Sequence, residues 1–394
     1  MVSKHDWLDF NIGKDATLKA RIGWQGLTTS EYLDSGDYIL VTGTDFENGQ
    51  VGWETCHFVD AWRYEQDKNI QLKTNDVLIT KDGTIGKVGF VDTLDLPATL
   101  NSGIFVIRPK NTKLDQKFLY YVFTSKVFED FLNKLTAGST INHLYQKDFI
   151  HFSFKAPKPQ EQKAIAQTLS DTDEMITSLG KLIAKKEAIK QGTMQQLLTG
   201  KKRLAGFSGE WEETRLDEIS KITMGQSPSS SNYNNQNIGL PLIQGNADIK
   251  DRNTIIRNYT SEITKKAFSG DIIMSVRAPV GEIAKTDFDC CIGRGVCAIK
   301  AHNDFLYYYL IFIESTWSKS STGSTFDSVN SDVIKSLQVY LPKEIIEQKA
   351  IAKILSDMDN EIETLKTKLS KTKAIKEAMM SELLTGKTRL TQGI

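Results

Sequence analysis

Gly386-Lys387-Thr388 is the nearest this sequence comes to a phosphate-binding loop, and it fails upstream: the glycine that should stand five residues before Gly386 is Ser381. Gly293-Arg294-Gly295 lacks the rest of a dinucleotide fingerprint and reads as a turn. His5, His57, His143, His151 and His302 are scattered without metal-ligand spacing, and Cys56, Cys290, Cys291 and Cys297 fit no zinc pattern. Cys56 and His57 are neighbours, and on a strand neighbours face opposite ways. The chain has no Pro-Pro pair, so the Asn/Asp-Pro-Pro-aromatic loop of amino-methylating DNA enzymes is absent, and no Pro-Asp dipeptide opens a carboxylate–lysine nuclease site. These residues predict a chain without an active site or metal of its own. What remains are donors and acceptors gathered in turns, whose chemistry is recognition.

Those turns close short β-rich runs. Tyr38-Ile39-Leu40-Val41 ends at Gly43-Thr44-Asp45, and Val77-Leu78-Ile79-Thr80 ends at Lys81-Asp82-Gly83-Thr84. Ile104-Phe105-Val106-Ile107 follows Asn101-Ser102-Gly103; a helix-like stretch from about Phe118 to Leu135 and a loop with Gly138-Ser139-Thr140 come after it. The plan recurs further on at low identity. Pro241-Leu242-Ile243 ends at Gly245-Asn246, Asp271-Ile272-Ile273-Met274-Ser275 at Arg277-Ala278-Pro279, and Val296-Cys297-Ala298-Ile299 follows Gly293-Arg294-Gly295. Phe305-Leu306-Tyr307-Tyr308 echoes Phe118-Leu119-Tyr120-Tyr121, and Gly323-Ser324-Thr325 echoes Gly138-Ser139-Thr140. Both aromatic blocks read as core packing. Divergent loops on a common scaffold imply two different ligands of one kind.

The elements that position these loops include a segment carried twice. Glu161-Gln162-Lys163-Ala164-Ile165-Ala166 and Glu347-Gln348-Lys349-Ala350-Ile351-Ala352 open the copies, and Leu-Leu-Thr-Gly-Lys closes both, at Lys201 and Lys387. At an offset of 186 residues, positions 161–204 match at 24 of 44 places without a gap. Apolar residues fall at steps of three and four: Ile165, Leu169, Ile176, Leu179 and Ile183, then Ile351, Leu355, Met358, Ile362, Leu365 and Leu369. That narrow stripe is the seam of a coiled coil. Pro157 and Pro159, and Pro342, stand at or before the helix starts, and Gly200 and Gly386 read as stops. Some 40 residues of helix span roughly 60 Å. The layout predicts an α+β fold with a pseudo-two-fold internal repeat, in which two mixed α/β globules alternate with two long helices that pair as an antiparallel coiled coil. The segments are 1–156, 157–204, 205–341 and 342–394.

Composition does not point to nucleic acid. Lys plus Arg and Asp plus Glu both number 49, and residues 1–155 carry 17 basic against 20 acidic side chains. No apolar run approaches the ~20 residues that span a bilayer, and Met1-Val2-Ser3-Lys4-His5-Asp6 lacks a signal-peptide core, so a cytoplasmic protein with no membrane contact is expected. The cysteines are then reduced and serve as apolar filler.

The alternation of two variable globules with two near-identical long helices resembles the specificity subunit of type I restriction-modification enzymes. The resemblance rests on Pro-x-x-x-Glu-Gln-x-x-Ile from Pro157 to Ile165 with its counterpart ending at Ile351, on the two Leu-Leu-Thr-Gly-Lys endings, and on Gly206-Phe207-Ser208-Gly209-Glu210-Trp211 opening the second globule. It covers essentially the whole chain. The first globule departs from it: its start, Asp6-Trp7-Leu8, lacks the Gly-Phe lead-in and reads as shortened. The resemblance implies target recognition domains at 1–156 and 205–341, each reading one half of a bipartite, asymmetric double-stranded DNA target, and spacer helices at 157–204 and 342–394 that set the gap. It implies two docked modification subunits that bring S-adenosylmethionine and methylate adenine, and motor-nuclease subunits that use ATP and Mg. No cofactor belongs to this chain. The side chains then expected at DNA are Arg21, Thr44, Lys81, Thr84, Asn101, Ser139 and Thr140 in the first globule. In the second they are Gln226, Asn246, Arg277, Arg294, Ser324 and Thr325. Each of these is equally readable as a turn residue bonding its own backbone. Two other readings stay open: a specificity subunit of a related methyltransferase-nuclease that is not type I, and a coiled-coil adapter whose globules bind protein.

Overall fold

The computed structural model describes residues 7–136, 143–319 and 328–390. The chain forms two compact units, Met1–Leu179 with Lys368–Ile394, and Gly180–Thr367.

In the first unit the β-branched and aromatic runs assemble a six-stranded sheet in the order Ala16–Lys19, Ile104–Pro109, Val77–Thr80, Val88–Phe90, Gln50–Val51, Phe46–Glu47. Beside it lies a three-stranded sheet, His57–Val59, Tyr38–Val41, Ala98–Leu100, whose last two strands run parallel. Leu8–Asn11 pairs with Ser153–Ala156, the strand that leads into the long helix. Asp115 caps the helix Gln116–Phe123 by accepting from the Phe118 amide at 2.9 Å. Every side chain from Phe118 to Phe123 is buried, and each such aromatic or aliphatic group contributes about 1.5–3 kcal/mol on leaving water.

The second unit repeats the six-stranded sheet strand for strand. Its six-stranded sheet runs Ser220–Met224, Val296–Ala301, Ile272–Ser275, Ile283–Lys285, Asn253–Thr254, Ile249–Lys250. A five-stranded sheet holds Leu240–Ile243 parallel to Cys290–Ile292, and Trp211–Arg215 pairs with Gln338–Pro342. Phe305 to Tyr308 are buried at the start of the helix Phe305–Lys319.

The long helices are Pro159–Leu197 and Ile345–Leu383, shorter at both ends than the segments drawn from sequence. Gly200 and Gly386 follow at φ +68° and +69°, a left-handed conformation that ends the helix, and the Lys202 amide reaches back to the Gln196 carbonyl at 3.1 Å. The boundary between the units falls inside both helices, so the four segments are not four bodies. Packing explains the difference. Ile165 and Leu169 are fully buried in the first unit's core together with Leu383 and Leu384, and Ile351 and Leu355 join Met194, Leu197 and Leu198 in the second. These seam residues therefore serve globule cores as well as the helix pair. Leu179, Ile183 and Ile362 are also buried; Ile176, Met358, Leu365 and Leu369 are half-buried.

Within each unit the helices run antiparallel. In the second, Lys186 pairs with Glu361 at 2.6 Å and Lys190 with Asp359, so one residue number rises as its partner's falls. The most repeated motifs meet each other crosswise. Arg389, just past the end of the second copy, forms a two-pronged pair with Glu161, at the start of the first, at 2.8 and 2.7 Å. Arg203 grips Glu347 in the same way at 2.8 and 2.7 Å. The Gln162 side-chain amide donates to the Pro157 carbonyl at 2.8 Å and that of Gln348 to the Pro342 carbonyl at 2.7 Å. Tyr121 donates to Asp173, which pairs with Lys376; Tyr308 donates to Asp359, which pairs with Lys190. Burial first, then the adjoining carboxylate, keeps both phenols protonated far above their usual range. Trp7 and Trp211 lie against Gly386 and Gly200, where an added Cβ would come within 3.0 and 3.4 Å of the indoles. The two copies are near-identical because each start must fit the other's end.

Candidate functional site

One edge of each unit gathers the polar turns, and the same hydrogen bonds shape them both times. In the first unit Thr80 carries the turn 81–86: its hydroxyl donates to the Thr84 carbonyl and accepts from the Lys87 amide at 2.9 Å, while the Gly86 amide, at φ +79°, reaches the Thr80 carbonyl at 2.9 Å. In the second, Ser275 does this work: its hydroxyl donates to the Pro279 carbonyl at 2.7 Å and accepts from Glu282 at 2.9 Å, with Gly281 at φ +93° closing on the Ser275 carbonyl at 2.9 Å. The neighbouring turns match as well. Buried Asp45 accepts from the Thr42 amide at 2.7 Å, as Asp248 does from Gln244. The amides of Asn101 and Gly293 bond the carbonyls of Val41 and Ile243, at 2.9 and 2.7 Å.

In the first unit these turns enclose a cleft of about 650 Å³ lined by Tyr32, Thr42, Gly43, Thr44, His57, Thr80, Asp82, Gly83, Thr84, Lys87 and Gly103. Thr44 and Thr84 line it and are exposed. Lys81, half-buried, turns toward Asp82 with its ammonium 3.7 Å from a carboxylate oxygen. Asn101, half-buried, donates to the Tyr32 hydroxyl at 2.5 Å, and its own carbonyl accepts from Ser102. Ser139 and Thr140, like Ser324 and Thr325, lie outside the described residues.

Arg21 is a correction. It is 2% exposed, and its guanidinium donates to the Leu100 carbonyl at 2.8 Å, to Gln66 at 3.0 Å and to Thr99 at 3.2 Å. Burial, then neighbouring Arg63, lowers its pKa from the arginine value. The second unit shows why the sequence misleads here. Strand pairing sets Gly225 at the Arg21 position, and there the Gln226 backbone amide bonds the Ile292 carbonyl at 2.9 Å, the bond that Arg21 makes to Leu100 with its side chain. Arg21 fills a gap that backbone fills elsewhere. Arg21→Ala is expected to cost about 1.5–3 kcal/mol, by stranding buried acceptors, and to leave DNA selectivity unchanged. Urea unfolding checks the first statement and the methylated motif the second.

In the second unit Gln226, Arg277 and Arg294 are exposed and Asn246 is half-buried, all on the matching turns. The Arg294 amide donates to the Ser227 hydroxyl at 3.1 Å, which fixes its turn and sends the side chain out. The backbone is drawn in tightly behind it: a Cβ at Gly295 would lie 2.2 Å from the Gln244 carbonyl oxygen, so only glycine fits. The edge thus offers a guanidinium pair and amides in one unit, and hydroxyls, an ammonium, an imidazole and a carboxylate in the other. That inventory suits hydrogen-bond recognition of base edges and phosphates.

Sequence reasoning missed Tyr32, Thr42, His57, Asp82 and His143. The Tyr32 and His57 rings meet at 5.3 Å, and His143 closes on Asp82 through its Nδ1, contacts between chain positions too far apart to read from spacing. All four cysteines are buried and unpaired; burial pushes the thiols of Cys56 and Cys290 up to about 12, which disfavours the thiolate needed for chemistry or metal binding. Among the described residues no group of three or more His, Cys, Asp or Glu is arranged to hold a metal, and no helix is long and apolar enough to cross a membrane.

Comparison with known proteins gives one answer. A family model described as the type I restriction modification DNA specificity domain matches twice, over residues 25–191 and 208–374. The chain is 30% identical over 390 residues to the putative type I restriction enzyme MjaX specificity subunit of Methanocaldococcus jannaschii, covering 93% of this chain and 90% of that one. It is 27% identical over 361 residues to the MjaVIII specificity subunit of the same organism, covering 82% and 81%. Its fold matches the crystal structure of a type I restriction-modification system S subunit from M. genitalium with a TM-score of 0.66, at 18% identity over 98% of each chain.

Proposed function

The chain belongs to the family of type I restriction-modification DNA specificity subunits, and from that premise we propose that it directs a multisubunit enzyme to DNA without catalysing any step itself. Each globule, 1–156 and 205–341, reads one half of a bipartite asymmetric target in duplex DNA. The helix pair sets the gap between the halves and docks two modification subunits. These bring S-adenosylmethionine and methylate adenine N6; motor-nuclease subunits bring ATP and Mg. The observation that carries this reading is the doubled framework of turns, held by the same backbone bonds in both units but bearing different polar side chains. A constant scaffold with divergent donors and acceptors is what two half-sites of different sequence require.

The test is reconstitution. The purified chain is expected neither to cleave nor to methylate DNA. Sequence-specific adenine methylation is expected once its modification partner and S-adenosylmethionine are added. Methyl transfer by the chain alone, or partner methylation that ignores its presence, would refute the proposal.

A further inference from the structure

The matched turns 81–86 and 276–281 differ at one position in a way that bears on what they read. Register is fixed by the bonds around them. The Lys81 amide bonds the Gly103 carbonyl and the Val276 amide the Gly295 carbonyl, both at 2.8 Å; the Lys81 and Val276 carbonyls accept from Leu144 at 2.7 Å and Val329 at 2.9 Å. The residue after each is therefore equivalent: Asp82, bridged to His143, and Arg277, bridged to Ser328. One framework thus presents an acceptor in one unit and a donor fork in the other.

Asp82 is presented rather than filed away. Its side chain is 42% exposed on the cleft wall, with one oxygen held by the His143 Nδ1 and the other 3.7 Å from the Lys81 ammonium. Gly103 stands beside it, and a Cβ there would lie 3.7 Å from that second oxygen, so the lack of a side chain keeps the carboxylate reachable. A carboxylate near phosphates is repelled unless it gains a specific bond. Lys81, with its ammonium 3.7 Å away, offsets the repulsion locally. The bases that can supply the bond carry an exocyclic amino group, since keto oxygens such as guanine O6 and thymine O4 oppose a carboxylate acceptor to acceptor.

Resting on the reading of the chain as a DNA specificity subunit, we propose that Asp82 and Arg277 are matched specificity-determining residues. Asp82 selects a base with an amino group on its major-groove edge, cytosine N4 or adenine N6, in one half-site. Arg277 selects guanine, through O6 and N7, in the other. The same turn thereby reads opposite hydrogen-bond polarity in the two halves.

The test maps methylated motifs genome-wide in cells carrying the chain with its natural partner subunits, comparing wild type with Asp82→Asn, Asp82→Arg and Arg277→Asp. Asp82→Asn keeps an acceptor for His143 but adds a donor, so the turn persists while discrimination at one base falls about tenfold. Whether the wild-type base there is cytosine or adenine identifies the amino group. Asp82→Arg is expected to shift that single position to guanine, and Arg277→Asp to replace guanine in the other half-site, with every other position unchanged. Should Asp82→Arg abolish methylation, Asp82→Asn decides; should Arg277→Asp do so, Arg277→Gln decides, with discrimination for guanine at that one position expected to fall about tenfold and unchanged discrimination overturning the Arg277 assignment. Wild-type discrimination in Asp82→Asn, or altered bases in both half-sites from one substitution, would overturn the assignment. A wild-type strain whose motif does not depend on the chain would instead sink the underlying reading of its function.

Discussion

Arg389→Ala is expected to lower the stability of the first unit by about 3–5 kcal/mol, because it leaves a carboxylate buried without its counter-charge. The side chains of Arg389 and Glu161 are 9% and 7% exposed, and the Glu161 oxygens also accept from the Leu390 amide at 3.2 Å. That one amide cannot replace a guanidinium fork. Against a typical stability of about 5–15 kcal/mol, the loss is a large fraction. Replacing both partners with methionine should recover most of it, since desolvating two charges costs nearly what their attraction returns. The urea midpoints of wild type, single and double variants measure this directly. An unchanged midpoint in Arg389→Ala would mean that the ends of the repeat do not clamp the fold. Arg203→Ala should act in the same direction, since it strands Glu347, whose side chain is 1% exposed.

The long helices were legible because periodicity and self-similarity are local signals. Ile165, Leu169, Ile351 and Leu355 announce an apolar stripe whatever covers it. What covers it was not legible: these four pack into globule cores as well as against the other helix, because the helix ends bring Leu383, Leu384, Leu197 and Leu198 to the same places. Glu161 and Arg389 stand 228 residues apart, and no pattern rule joins them; the repeat itself held the clue, since both copies conserve an acid at the start and an arginine past the end. The turns were legible as turns. The side chain leaves the fold at Arg277 and Arg294, as a recognition role requires. Arg21 looks the same on paper and is buried, because its partner is a carbonyl 79 residues away. Asp82 sat inside a turn already marked by Lys81 and Thr84 and became visible only when the second unit placed an arginine at the same point.

Lengthening the helix pair is expected to rewrite the target while leaving both half-sites intact. The antiparallel register calls for a matched change, four residues after Lys181 and four after Thr367, so that Arg203–Glu347 and Arg389–Glu161 can still close. Each insertion adds about 6 Å and slightly more than a turn, which keeps the apolar stripe nearly in phase. Bases rise about 3.4 Å per step along a strand, so the unread gap should grow by one or two base pairs. One residue per helix should do worse, since it swings the stripe by about 100°. If the gap is unchanged while methylation persists, the helices dock partners and do not measure distance.

The central claim, that two separate globules each read half of one target, is tested most directly by exchange. Residues 1–156 are replaced by the corresponding globule of another member of the family, with 157–394 kept, and methylated adenines are mapped genome-wide beside the natural partner subunits. The account predicts a hybrid motif: one half-site takes the donor's sequence, while the other half-site and the gap stay as in wild type. A motif changed in both halves, or in neither while methylation continues, would contradict it.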